Sequence, residues 1–131
     1  MGINYVGTVC IFVSDQARAK EFYTQKVGLE LHTDAPLYPG ATNRWISVMP
    51  KGGQTEIILY LVDENWEHYR QVVGKSQALT LDVSDMQTLY AELKARGVKF
   101  IQEPDVQPWG TYATIEDSEG NHILMVQQPK T

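Results

Sequence analysis

Val13-Ser14-Asp15-Gln16-Ala17-Arg18-Ala19-Lys20-Glu21-Phe22-Tyr23-Thr24-Gln25-Lys26-Val27-Gly28-Leu29 has a counterpart later in the chain. It is Val83-Ser84-Asp85-Met86-Gln87-Thr88-Leu89-Tyr90-Ala91-Glu92-Leu93-Lys94-Ala95-Arg96-Gly97-Val98. In each, Ser-Asp supplies an N-cap and apolar residues follow at helical spacing: Ala19, Phe22 and Tyr23 in the first, Met86, Leu89, Tyr90 and Leu93 in the second. A glycine then stands where a helix stops in the left-handed conformation. Each segment follows a β-rich run, Tyr5 to Val13 or Ala78 to Val83, and precedes a short strand. The chain writes one βα unit twice.

The rest of each half fits the same plan. After the first helix come a long loop from His32 to Asn43 and two strands, Trp45 to Met49 and Glu56 to Val62, joined at Pro50-Lys51-Gly52-Gly53. After the second come a loop from Gln102 to Gly110 and two strands, Thr111 to Glu116 and His122 to Gln127. Asp117-Ser118-Glu119-Gly120-Asn121 joins that last pair. The expected fold class is therefore α+β, two βαβββ modules whose curved mixed sheets face one another. One domain over residues 1–131 is expected, with module 1 at about 4–62, a linker at about 63–76 and module 2 at about 77–128. The linker is expected to carry a short helix around Trp66 to Val72.

Composition narrows the function. Sixteen acidic against eleven basic side chains give a net charge of −5, a field that repels phosphate backbones and anionic membrane surfaces. Neither nucleic acid nor membrane is an expected partner. Cys10 has no second cysteine to pair with and lies in the apolar run Val9-Cys10-Ile11-Phe12-Val13. A buried, inert thiol in a reducing, cytoplasmic compartment is expected. That run is too short to cross a bilayer. There is no phosphate-binding loop, dinucleotide fingerprint or nucleophile elbow, and Lys51-Gly52-Gly53 opens no helix.

The Asp15 helix with Phe22-Tyr23 and Gly28-Leu29, the Gly97-Val98 step, Pro108-Trp109-Gly110 and the Asp117-to-Asn121 hairpin together resemble the vicinal oxygen chelate superfamily. Its members include glyoxalase I, extradiol dioxygenases, fosfomycin-resistance enzymes and bleomycin-resistance proteins. Metal-using members place His, Gln or Glu at one inward position on each of four strands. Carried onto this chain, those positions are Thr8, Ala78, Leu124 and one of Ile58, Leu59 and Tyr60. None is an ordinary ligand for a catalytic divalent ion, so no metal and no cofactor are expected.

Strand alternation extends the inward set to Val6, Cys10 and Phe12, to Thr80 and Asp82, and to His122 and Val126, with Glu56 added if Ile58 and Tyr60 point inward. The opposite sets, Val9-Ile11-Val13, Leu79-Leu81-Val83 and Ile123-Met125, are uniformly apolar and suit packing beneath the helices. His122 reads as a polar residue near the rim, with Asp82 accepting a neighbouring hydrogen bond; a shifted metal site of His122, Asp82 and Glu56 is the alternative. His32 and His68 read most simply as solvated.

Trp45, Tyr60, Trp109 and Tyr112 fall where they would rim the concave sheets, and flat aromatic surfaces with polar tips suit planar small molecules. Around Leu89-Tyr90-Ala91-Glu92 and Gln107-Pro108-Trp109-Gly110 the chain is similar to metal-free bleomycin-resistance proteins, whose dimers sequester an antibiotic. The resemblance implies a homodimer that binds a small organic molecule. The second expectation is an enzyme: a glyoxalase-like or dioxygenase-like catalyst with a displaced metal, or metal-free acid/base chemistry through His122 or Glu56.

Overall fold

A computed structural model describes residues 2–62, 71–75 and 79–129. The chain divides into two compact units, Met1–Gly74 and Lys75–Thr131. In the first, β1 (Thr8–Val13) leads to α1 (Gln16–Glu21), which widens into π-helical turns over Phe22–Lys26, then to β2 (Glu30–Pro36), β3 (Arg44–Met49) and β4 (Glu56–Leu61). The second runs β5 (Leu79–Asp82), α2 (Met86–Ala95), β6 (Lys99–Gln107), β7 (Gly110–Glu116) and β8 (His122–Gln127). The sheets have matching orders, β1-β4-β3-β2 and β5-β8-β7-β6. In each, the first and last strands pair in parallel and the other pairings are antiparallel. The βαβββ duplication is thus borne out in topology.

Both helices start as their sequences dictate. The Asp15 carboxylate accepts from Arg18 N at 3.0 Å, and Asp85 accepts from Thr88 N at 3.1 Å and from the Thr88 hydroxyl at 2.8 Å. Both stop at glycines with positive φ, 91° at Gly28 and 82° at Gly97. The apolar sets fall where alternation puts them: Ile11, Val13, Ile57, Leu59 and Val48 are buried in unit 1, and Ile115, Ile123 and Met125 in unit 2. They form the face that each crossover helix covers. Two glutamines fasten the helices. Gln16 accepts from Arg44 N at 3.2 Å and donates to the carbonyls of Arg44 and Leu59 at 2.8 Å each, while Gln127 accepts from Met86 N at 2.6 Å.

Two expected loops are largely strand. β2 continues through His32 to Pro36, and β6 through Gln102 to Gln107. Both are edge strands with interrupted register, between Leu31 and Thr33 in β2 and between Phe100 and Asp105 in β6. A bulge breaks the period-two pattern by which a strand is recognised, and prolines at 36 and 104 add to the disguise. The helix expected around Trp66 to Val72 falls largely outside the described residues. No helix among the described residues is long and apolar enough to cross a membrane.

Lys20, Asp34 and Arg44 tie α1 to β2 and β3. The Asp34 carboxylate receives Lys20 Nζ and Arg44 Nε, each at 2.6 Å. The hydrogen bond from Lys20, then that from Arg44, holds the Asp34 carboxyl below its ordinary value. A carboxyl whose value is lowered by folding stabilises the fold above its unfolded value and loses that contribution as pH falls through the folded one. Asp34→Asn is therefore expected to destabilise the protein at neutral pH, with the gap to wild type closing below about pH 4. Urea unfolding of both proteins across that range checks it; a gap independent of pH would contradict it.

Gly110 opens β7 with φ at 142°. A Cβ there would lie 2.5 Å from the carbonyl oxygen of Gln127, a backbone atom that cannot swing aside. Gly110→Ala is expected to cost about 2 kcal/mol in urea unfolding, as overpacking against a fixed neighbour does.

Candidate functional site

Each sheet has a second face, opposite the helix, and strand register shows which residues share it. In unit 1, Thr8 pairs with Glu56, Cys10 with Ile58, and Phe12 with Tyr60. Ile58 also pairs with Ser47, which pairs with Thr33, and Trp45 pairs with Ala35. The Phe12 and Tyr60 rings meet edge to face, centroids 6.2 Å apart. Glu56, Ile58 and Tyr60 therefore share a face with Thr8, the arrangement on which Glu56 depended.

In unit 2 the corresponding rows are Thr80, Leu124, Thr114 and Gln102, then Asp82, Val126, Tyr112 and Asp105, with His122 opposite Glu116 at the strand end. Trp109 and Tyr112 are stacked, centroids 5.4 Å apart and planes 28° from parallel. Trp109 is 53% exposed. The pair makes a flat aromatic plate with Asp82 and Asp105 in its row. Asp105 accepts from Gln107 at 3.1 Å. Asp82 and His122 are exposed, and Ala78 lies outside the described residues.

The duplication settles the fourth strand. Cys10 and Thr80 each stand five residues before their helix-capping aspartate, and their partners on the last strands are Ile58 and Leu124. Ile58 on β4 is thus the equivalent of Leu124 on β8, and with Thr8 and Ala78 these are the residues that the sequence carries at the four positions. One hydroxyl and three hydrocarbon side chains do not fit a divalent ion, which needs three or four nitrogen, sulfur or carboxylate donors. Among the described residues, no three His, Cys, Asp or Glu side chains are grouped to hold a metal ion.

One cysteine reading is corrected and one histidine reading is extended. Cys10, expected to be buried, is exposed on the face opposite the helix, although partial desolvation by its neighbours raises its thiol above the ordinary value. His32 is exposed, as expected, and is also bonded. Its Nδ1 lies 2.8 Å from Glu56 Oε1 and 3.1 Å from the Thr33 hydroxyl, while Ser47 Oγ donates to the same Glu56 oxygen at 2.7 Å. Ser47 is fully buried. His32 is the extra residue of the β2 bulge, so it and Thr33 both stand opposite Ser47. The sequence carried a faint signal, since Leu31-His32-Thr33-Asp34-Ala35 alternates poorly but is rich in donors and acceptors. His68 lies outside the described residues.

Comparison with known proteins follows the same lines. Residues 2–125 match the family model described as the Glyoxalase/Bleomycin resistance protein/Dioxygenase superfamily. The chain is similar to YetH of Bacillus subtilis (strain 168), 33% identical over 126 residues, covering 94% of this chain and 98% of that protein. Among solved structures it resembles TnmS3, an antibiotic binding protein from Streptomyces sp. CB03234, at 35% identity and TM-score 0.82, covering 98% and 99% of the two chains. It also resembles a superfamily member from Sphaerobacter thermophilus DSM 20745, at 31% identity and TM-score 0.81, covering 98% and 100%.

Proposed function

Because the chain belongs to the glyoxalase/bleomycin resistance protein/dioxygenase superfamily, we propose that it acts within that family as a metal-free capture protein for a small organic molecule. The observation that carries this reading is the residue set Thr8, Ile58, Ala78 and Leu124 at the four positions where metal-using relatives aim donors. Such a set cannot act as a Lewis acid on a substrate's paired oxygens. Thr8 and Leu124 keep surface with which to line a binding site.

Unit 2 supplies the chemistry of capture. The Trp109–Tyr112 plate offers a planar face to an aromatic ring, Thr80 and Leu124 stand in the next row with His122 at the far strand end, and Asp82 and Asp105 favour a cationic ligand. The chain's net charge of −5 acts in the same sense at longer range. Trp45 and Tyr60 give unit 1 its own aromatic surface. That TnmS3 is an antibiotic binding protein supports the same role here, and we propose a homodimer in the cytoplasm as its working form.

Metal-free bleomycin is the first probe. A saturable rise in melting temperature with the drug supports capture, since a ligand that binds only the folded state stabilises it by mass action. Absence of a shift with bleomycin and with a panel of other cationic aromatic antibiotics, together with near-stoichiometric zinc, nickel or manganese in the purified protein, would overturn it.

A further inference from the structure

We propose that His32, oriented by Glu56 and Ser47, is a general base, and that unit 1 can take a proton from a flat, neutral carbon acid lying on its sheet. The inference is independent of antibiotic capture, whose aromatic plate lies in unit 2. Three strands converge to build the group: β2 brings His32 through its bulge, β3 brings Ser47 and β4 brings Glu56. A carboxylate offers only lone pairs, so a hydrogen bond across the 2.8 Å contact to Glu56 Oε1 requires the proton on His32 Nδ1. In the neutral ring Nε2 is then a lone-pair acceptor. The imidazole is 47% exposed, which leaves Nε2 within reach of a ligand, whereas Ser47 is fully buried and pins the carboxylate from behind.

Nucleophile-activating and proton-transferring sites share this grammar, a base held in one tautomer by a carboxylate that is itself held. The surroundings set the substrate class. Same-face rows are about 6.5 Å apart along a strand, so the Phe12–Tyr60 pair lies roughly 13 Å from the Glu56 row, with exposed Cys10 between; Ile58, its partner in that row, is fully buried and adds no surface. That floor is apolar and long enough for a fused two-ring aromatic molecule.

The probe is 5-nitrobenzisoxazole, a neutral two-ring carbon acid. His32 Nε2 takes the C3 hydrogen as a proton, and the C–H electron pair becomes the third carbon–nitrogen bond. The N–O bond breaks, the oxygen keeps the N–O electron pair and leaves as the coloured phenolate, and the imidazolium returns its proton to water. Wild-type protein is expected to release phenolate with saturation, and His32→Ala and His32→Gln to lose about 100-fold or more in kcat, as removal of a general base does. Free imidazole should restore part of the lost rate in His32→Ala. Glu56→Gln, a positioning change, should lower kcat with KM little altered, and Ser47→Ala should do so more weakly. Circular dichroism verifies that each variant is folded. A wild-type rate no faster than an equal concentration of free imidazole, or His32 variants as fast as wild type, would overturn the proposal. Loss of bleomycin binding with phenolate release intact would count only against capture.

Discussion

Replacing Asp117 by alanine is expected to lower stability by about 3 kcal/mol, most of what a small domain can spare. Asp117 Oδ1 accepts from Glu119 N at 2.9 Å and Asn121 N at 2.8 Å, and Oδ2 accepts from Asn121 Nδ2 at 2.9 Å. The backbone closes the same turn, with Asp117 N donating to the Asn121 carbonyl at 2.9 Å. Asp117 is 6% exposed and Asn121 1%. Bonds to a carboxylate are the stronger kind. Truncation also leaves buried N–H groups without partners, and that desolvation is the larger cost. Asp117→Asn keeps an acceptor oxygen and should lose less. Urea unfolding of the two variants checks the order; a loss under about 1 kcal/mol for alanine would show that the turn holds without its side chain.

Trp109→Ala is expected to weaken bleomycin binding at least 30-fold, about 2 kcal/mol, if the plate is the anchor of capture. Stability should change little, because more than half of the Trp109 surface is open to solvent. The stacking partner sharpens the test. Tyr112→Phe keeps the ring beneath Trp109 and should leave binding close to wild type, whereas Tyr112→Ala removes the support and should resemble Trp109→Ala. Isothermal titration calorimetry reads all three, and equal affinity in Trp109→Ala would remove the plate from the ligand surface.

The hairpin of Asp117 to Asn121 illustrates why much of this chain could be read in one dimension. Its bonds run between residues two and four apart, so composition and spacing contain the structure. The same holds for the Asp15 and Asp85 caps and for the glycines that end both helices. Faces of β1, β5 and β8 were equally legible, because six or fewer residues alternate cleanly between an apolar side and a mixed one.

His32, Ser47 and Glu56 illustrate the opposite case. They belong to three strands and acquire meaning only through register, which a bulge in β2 shifts by one residue. Glu56 stands out in the sequence as a candidate base, but nothing local ties His32 to it. Ile58 is similar: the repeat suggested a ligand position somewhere on β4, and the pairing of Cys10 with Ile58 was needed to choose among Ile58, Leu59 and Tyr60. Cys10 marks a further limit: alternation places it on the face away from the helix, but nothing local says whether that face is covered.

By itself, then, the sequence determined the duplicated βαβββ plan, the helix boundaries, the apolar face of each sheet and the absence of donors at Thr8, Ala78 and Leu124. These follow from interactions between near neighbours and from side-chain alternation. Only the tertiary structure decided that β2 and β6 extend as bulged edge strands, that Ile58 faces away from the helix, that Trp109 stacks on Tyr112 and that His32 reaches Glu56. Each depends on which residue of one strand stands beside which residue of another, and that pairing is set by the whole sheet at once.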